Sequence, residues 1–303
     1  MSAASGKTAF REVIHCTRVP NGVFRRESAA CDCGRLHCRK GWDIVRNVLF
    51  ITDPQNDFCD ASRGSLALPN AEADCRTIRD MLERGADFFD SVVVSMDMHT
   101  EQSVFHDVFW LKDGKSVSGV GTIDRGNIDG FHPRNPAYEP FIPREQIRQG
   151  RSGIDLWPVH CVVGTWGNAI NDDVQAALHE WSRATGKYVE YLFKGMNPFR
   201  EEYSVFTSNH DRITSLLLAA GGGSTTVWFC GEAASHCVYY TIRDTYANLE
   251  RSDIGRIRLR LVSNCASYVP GFESMKERYS EFDPAFFGPA RYDADIGRIR
   301  EGE

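Results

Sequence analysis

No apolar run in this 303-residue chain approaches the ~18 to 20 residues that a membrane-spanning helix needs, and its first residues lack the apolar stretch of a secretory signal. Blocks of one charge are missing too. The 35 basic and 41 acidic side chains are interspersed, for a formal net charge of -6, so there is no electrostatic footprint for DNA, RNA or an anionic membrane. Among the ten cysteines there is no CxxC pair, which argues against a thiol oxidoreductase. In a chain this long they read as free thiols rather than as a disulfide framework. These absences leave a small-molecule partner and a reducing, cytoplasmic setting as the expectation. Residues 1–26, with several arginines and few acids, keep a mitochondrial transit segment as the alternative.

What is present is a core. With 42% hydrophobic residues, the composition fits one ordinary globular domain with additions, or at most two domains. From about Asn47 short apolar runs alternate with longer amphipathic segments, the pattern of βαβ units around a parallel sheet. The runs 48–52 (VLFIT), 91–96 (SVVVSM), 189–193 (VEYLF), 225–230 (TTVWFC) and 257–262 (IRLRLV) read as strands. Several are β-branched and apolar on both faces, as buried parallel strands are. Segments 70–84, 167–185, 211–220 and 235–249 carry apolar residues at helical spacing. The expected fold is a three-layer α/β/α domain over residues 46–269, with a mostly parallel, doubly wound sheet and helices on both faces.

Three regions fall outside that rhythm: an N-terminal extension, 1–45, an insertion, 107–155, and a C-terminal tail, 270–303. The insertion holds Pro133, Pro136, Pro140 and Pro143 among glycines and charges. Long irregular loops in compact domains are usually functional or disordered, so it is expected to pack as a lid or rim over a site. In the extension, Cys31, Cys33, Cys38 and His37 are spaced unlike any closed structural zinc site and read as a surface segment. The run Gly221-Gly222-Gly223 falls between a helix and a strand and reads as a turn.

Open parallel sheets bind ligands outside the carboxyl ends of their strands, which directs attention to the residues just after each run. Cys237 follows a strand and a small-residue turn and opens a helix, where the helix dipole and free amides are expected to lower a thiol pKa. A thiol nucleophile needs a base for its proton and a cation for the thiolate, which Asp53 and Lys194 supply from other strand ends. Each residue alone has an ordinary reading, as packing thiol, turn cap or solvated strand end; the coincidence of three carries the inference. Asp97 and His99 lie two apart, so an extended strand end puts both on one face, where they could grip a cation with His160 as third ligand and His106 as a weaker fourth. An aspartate, two histidines and open positions suit zinc, iron or manganese.

Taken together these residues resemble the nicotinamidase and isochorismatase-like cysteine hydrolase superfamily over about 47–267. Four blocks carry the likeness in order: ITDPQNDFC from Ile51, DMH from Asp97, WPVHC from Trp157, and the turn from Gly231 to Cys237, with Lys194-Gly195 similar to the family's catalytic lysine block. The resemblance implies Asp53, Lys194 and Cys237 as catalytic residues and Asp97, His99 and His160 as ligands of a divalent metal, zinc with iron or manganese as alternatives. It also implies a cis peptide between Glu232 and Ala233, and an oxyanion hole from the amides of Ala233 and Cys237. The chain departs from the pattern where Gln102 and Ser103 stand near the family's usual second histidine, where Ala234-Ser235 replaces a frequent Thr-Asp, and in its longer insertion.

The activity implied is hydrolysis of a small amide, nicotinamide to nicotinate and ammonia, with Phe58, Trp157, Tyr203 and His236 as candidate substrate contacts. Another small amide, carbamoyl or maleamate-like, is the competing substrate class. A non-catalytic assembly protein on the same fold is the competing function, and a homo-oligomer is compatible with either. Isochorismatases proper lack the cysteine, so Cys237 disfavours their vinyl-ether chemistry.

Overall fold

The computed structural model describes residues 14–18, 24–28, 45–218, 223–249 and 256–302. The chain divides into two units, Met1–Asp43 and Ile44–Glu303. In the first, Ile14–Arg18 pairs antiparallel with Phe24–Ser28. Cys31, Cys33, His37 and Cys38 lie outside the described residues, as do most of the arginine-containing segment 1–26 and Gly221 and Gly222.

The second unit is built on a seven-stranded sheet. Its strands are β1 (Val45–Thr52), β2 (Ser91–Asp97), β3 (Val189–Lys194), β4 (Ser224–Gly231), β5 (Ile257–Val262), β6 (Phe287–Asp293) and β7 (Arg298–Glu301). Their spatial order is β3-β2-β1-β4-β5-β6-β7, parallel throughout except for the β6-β7 pair. This is the doubly wound arrangement, with its reversal of strand order between β1 and β4.

Alternation along the strands divides the core in two. Leu49, Ile51, Val92 and Val94 pack on one face with α1 (Ala71–Arg84) and α2 (Asp172–Thr185) through Ile78, Leu82, Val174 and Leu178. Val48, Phe50, Val93, Val227 and Phe229 pack on the other with α3 (Val205–Leu218) and α4 (Cys237–Ala247) through Ile213, Leu217, Val238 and Ile242. Each such side chain contributes about 1.5–3 kcal/mol when fully buried, which is why β-branched and aromatic residues with no polar face form the central strands. Among the described residues no helix is long and apolar enough to cross a membrane.

Three differences from the sequence-based expectation bear on the site. The second helix begins at Asp172, capped by Asn171, whose side chain accepts the Asp173 amide at 3.1 Å. Residues 167–171 instead form a turn against the strand ends. Gly167 is required there, because a Cβ would fall 2.1 Å from the Asp57 carboxylate. The segment after Pro270 supplies β6 and β7, which extend the sheet; its Gly288-Pro289 pair and the alternating arginines of RIRE gave no apolar run to betray them. The insertion is built from strands of two or three residues and short helical turns, and it buries Phe109, Trp110, Ile128, Phe131 and Ile147 in the core.

Candidate active site

The reversal of strand order opens a crevice at the carboxyl edge of the sheet, and the chemistry-bearing residues line up along it. Asp53 follows β1, Asp97 ends β2, Lys194 ends β3, and Cys237 follows β4 across a turn. Gly231 starts that turn with φ +97°, where a Cβ would lie 2.1 Å from the Thr52 carbonyl oxygen. Only glycine lets the turn press so closely on β1. The Glu232–Ala233 peptide is cis.

Lys194 is the hub. Its Nζ lies 2.8 Å from Asp53 Oδ2 and 3.3 Å from Cys237 Sγ, and it also donates to Asp97 Oδ1. One carboxylate oxygen of Asp53, one of Asp97 and the sulfur lie within 4.8 Å of one another, and all three residues are buried. Ser95 Oγ donates to Asp53 Oδ1 at 2.6 Å, and Gln55 holds the Asp97 backbone on both sides, at 2.8 Å to its carbonyl and 2.7 Å from its amide. Asp53 itself sits at φ +43°, a left-handed conformation that non-glycine residues avoid unless surrounding bonds enforce it. Here the Asp53 amide donates to Ser95 and its carbonyl accepts from Gln55, at 3.1 and 2.8 Å.

Burial sets the electrostatics. It works against the Lys194 ammonium, but Asp53 and Asp97 outweigh it and hold that group well above the usual lysine range. Burial likewise opposes ionisation of Asp97, yet Lys194 and then His99 keep its carboxyl well below the usual range. For Asp53 burial wins over Lys194 and the carboxyl is raised. Burial also drives the Cys237 thiol well up; Lys194 opposes this while Asp53 and Asp97 add to it. The expected lowering of this thiol by the helix start is therefore corrected. The resting sulfur keeps its proton, because it is desolvated beside two acids as well as one cation.

Asp97, His99 and His160 each turn a ligand atom into a second group, again within 4.8 Å of one another. The Nδ1–H of His99 donates to the Gly195 carbonyl at 3.0 Å and that of His160 to the Pro158 carbonyl at 2.8 Å. For His160 this carbonyl acceptor fixes the tautomer that leaves Nε2 with a lone pair, while His99 Nε2 faces Asp97 Oδ2 at 3.4 Å. Burial, then His99 and His106, hold His160 well below the usual histidine range, so it is neutral. The donor set of one carboxylate and two imidazoles beside a pocket fits a divalent cation. His106 stands outside this group. Its Nδ1 faces the Glu101 carbonyl at 3.0 Å and its Nε2 accepts the His160 amide at 3.4 Å, so the ring orients a ligand's backbone; burial foremost lowers it to about 4.

A pocket of about 400 Å³ joins both groups, walled by Phe58, Trp157, Tyr203 and His236 with Ala233 and Cys237 at its base. Trp157 Nε1 donates to the Tyr203 hydroxyl, which donates to Asp155 Oδ2, both at 3.2 Å. The His236 ring packs edge-on against Trp157, Tyr203 and Phe272, and burial lowers it to about 4, so the wall is uncharged. Of the insertion, Asp155 reaches this wall through that hydrogen bond and Asp107 through its amide, which donates to the Trp157 carbonyl at 2.9 Å; no residue of 107–155 lines the pocket. Sequence reasoning missed Leu66, Leu68, Glu201 and Val269 as lining residues. Glu201 carried no signal, since nothing in the loop distinguishes it from Glu202, yet burial foremost, with Asp97 adding to it, drives its carboxyl well above the usual range.

No family model matches the chain. Among curated proteins it is 26% identical over 196 residues to a nicotinamidase of Saccharomyces cerevisiae, covering 64% of this chain and 78% of that protein. It is 27% identical over 202 residues to a nicotinamidase/pyrazinamidase of Mycobacterium tuberculosis, covering 66% and 79%. Among solved structures, the yeast nicotinamidase superposes with a TM-score of 0.56 at 20% identity, covering 80% of this chain and 98% of that one, which shows a shared fold.

Proposed function

We infer that this chain, which belongs to the isochorismatase-like cysteine hydrolase superfamily, is a metal-assisted cysteine amidohydrolase whose substrate is nicotinamide, converted to nicotinate and ammonia. The observation that carries this reading is the Cys237 sulfur 3.3 Å from the Lys194 ammonium, with the Asp53 carboxylate alongside, at the base of a pocket bordered by the Asp97, His99 and His160 group. The similarity to the two nicotinamidases supports the choice of amide.

In the proposed reaction Asp53 takes the thiol proton, and the thiolate forms beside Lys194 as it attacks the amide carbonyl. The raised pKa values of Asp53 and Cys237 suit this exchange, because a carboxylate that holds its proton more readily is a better base for a reluctant thiol. The oxyanion is received by the amides of Ala233 and Cys237. The Ala233 carbonyl takes the amides of His236 and Val238 and passes over that of Cys237, which leaves the latter free to point at a ligand. Asp53 then protonates the leaving ammonia. Water, deprotonated by the same carboxylate, cleaves the thioester to release the acid and restore the thiol. A divalent cation held by Asp97, His99 and His160, zinc foremost with iron or manganese suiting the same donors, would supply a Lewis acid for a lone pair of the substrate. Phe58, Trp157, Tyr203 and His236 would clasp an aromatic ring edgewise and face-on.

Ammonia release measured across nicotinamide, pyrazinamide, maleamate and N-carbamoyl amino acids, with metal analysis of the same preparation, tests the reading. Nicotinamide turnover is the expected outcome. Turnover of maleamate or a carbamoyl compound alone would move the assignment to that amide class, and ammonia from none of them would overturn it.

A further inference from the structure

A second set of buried acids flanks the turn that carries Cys237, and the reaction above makes no use of it. Glu232, 1% exposed, is the residue between β4 and Ala233. Its Oε2 accepts the Ser267 amide at 3.3 Å, while its Oε1 is enclosed without a donor. Facing it is the carboxyl of Asp74 on α1, 6% exposed, whose Oδ2 accepts the Ser267 hydroxyl. The other titratable groups turned toward Glu232 are thiols, Cys75 of α1, Cys59 of the short helix Asn56–Cys59, and Cys265 after β5.

Two ionised carboxylates offer acceptors only. With both charged, the pair would bury two like charges and leave Glu232 Oε1 unpaired; one proton between them removes a charge and supplies the missing donor. Ser267 then links the pair to the reaction centre. Its amide serves Glu232, its hydroxyl serves Asp74, and its carbonyl accepts the Ala234 amide at 2.7 Å. Two further bonds complete the frame: the Glu232 amide to the Thr52 carbonyl at 2.8 Å, and the Val269 amide to Ser235 Oγ at 3.0 Å.

We propose that Glu232 and Asp74 share a single proton, and that the protonated pair is a positioning device which, through Ser267, holds the turn from Ala233 to Cys237 in register with the pocket. Burial first, then Asp74, pushes the Glu232 carboxyl well above the usual range, and burial also raises Asp74, both in the direction that retains the proton. The sign of the linkage follows. A group raised on folding contributes stability below its ordinary range, and that contribution is lost as pH climbs through the raised value. Stability should therefore fall as pH rises from the ordinary carboxylate range to the raised value, and kcat as the pair loses its proton there.

The activity arm of the test rests on the amidohydrolase reading; the spectroscopic and thermal arms do not. Infrared difference spectra of wild type against Glu232→Gln at neutral pH should contain a protonated-carboxyl stretch. Glu232→Gln, whose amide can donate to Asp74 in the proton's place, should keep most of kcat and lose that decline in melting temperature. Glu232→Leu should lower kcat about tenfold to 10²-fold, the scale of a misplaced oxyanion donor, with KM little changed. Should the leucine variant fail to fold, Ser267→Ala, which cuts the hydroxyl link to Asp74, is expected to lower kcat in the same direction. A missing carboxyl band, or a decline in melting temperature with pH unchanged in Glu232→Gln, would overturn the shared proton whatever the substrate proves to be. A leucine or alanine variant with full kcat would overturn the positioning role.

Discussion

The turn that carries Cys237 is bordered by two clusters of buried acids that solve one electrostatic problem in different ways. On the pocket side Asp53 and Asp97 share an ammonium, that of Lys194, and all three remain within reach of the sulfur. On the other side Glu232 and Asp74 face each other among thiols and a serine, and a proton takes the part of the cation. A cation leaves its carboxylates ionised and able to accept a proton during reaction, whereas a shared proton neutralises the pair and makes it a fixed strut. The first arrangement is suited to chemistry and the second to holding geometry.

Changes on the pocket side should have the largest effects. Cys237→Ala is expected to reduce ammonia release roughly 10⁴-fold or more while the circular dichroism spectrum stays that of wild type. Turnover surviving in that variant would remove the nucleophile from the scheme. Lys194→Met should cost about 3–5 kcal/mol in urea unfolding, because two buried carboxylates lose their counter-charge. Adding Asp53→Asn should recover part of that loss, and no recovery would mean that the ammonium is not the charge that balances Asp53. His160→Ala should weaken metal retention at least ~tenfold, as read by elemental analysis after dialysis. Unchanged metal content would take His160 off the ligand set.

Smaller effects are expected farther out. Asp155→Ala, which frees the Tyr203 hydroxyl, should raise KM about fivefold with kcat held, the worth of about 1 kcal/mol for one hydrogen bond. A fall in kcat instead would place Tyr203 closer to the reacting atoms. On the strut side, Glu232→Gln should change the melting temperature by only a few degrees, by an amount that varies with pH above the ordinary carboxylate range. A uniform shift at every pH would dissolve the contrast between cation and proton.

Much of the fold was legible because the five central strands and four helices bury whole faces, and burial on that scale writes itself as apolar runs and helical spacing. The strands after Pro270 escaped notice because β6 holds the Gly288-Pro289 pair and the edge position of β7 lets arginines flank its isoleucine, and α2 began later than its periodicity suggested because Gly167 and Asn168 were committed to the site. The residues named for the site from sequence were found together on one sheet edge, with His106 displaced into support of His160.

By itself the sequence determined which side chains exist to do chemistry and which strand ends present them, since a parallel sheet leaves its carboxyl ends on one edge. Tertiary structure alone decided how those groups are charged. The protonation of Cys237, Asp53, Glu201 and Glu232 depends on burial and on partners far apart along the chain, and desolvation has no signature in local sequence.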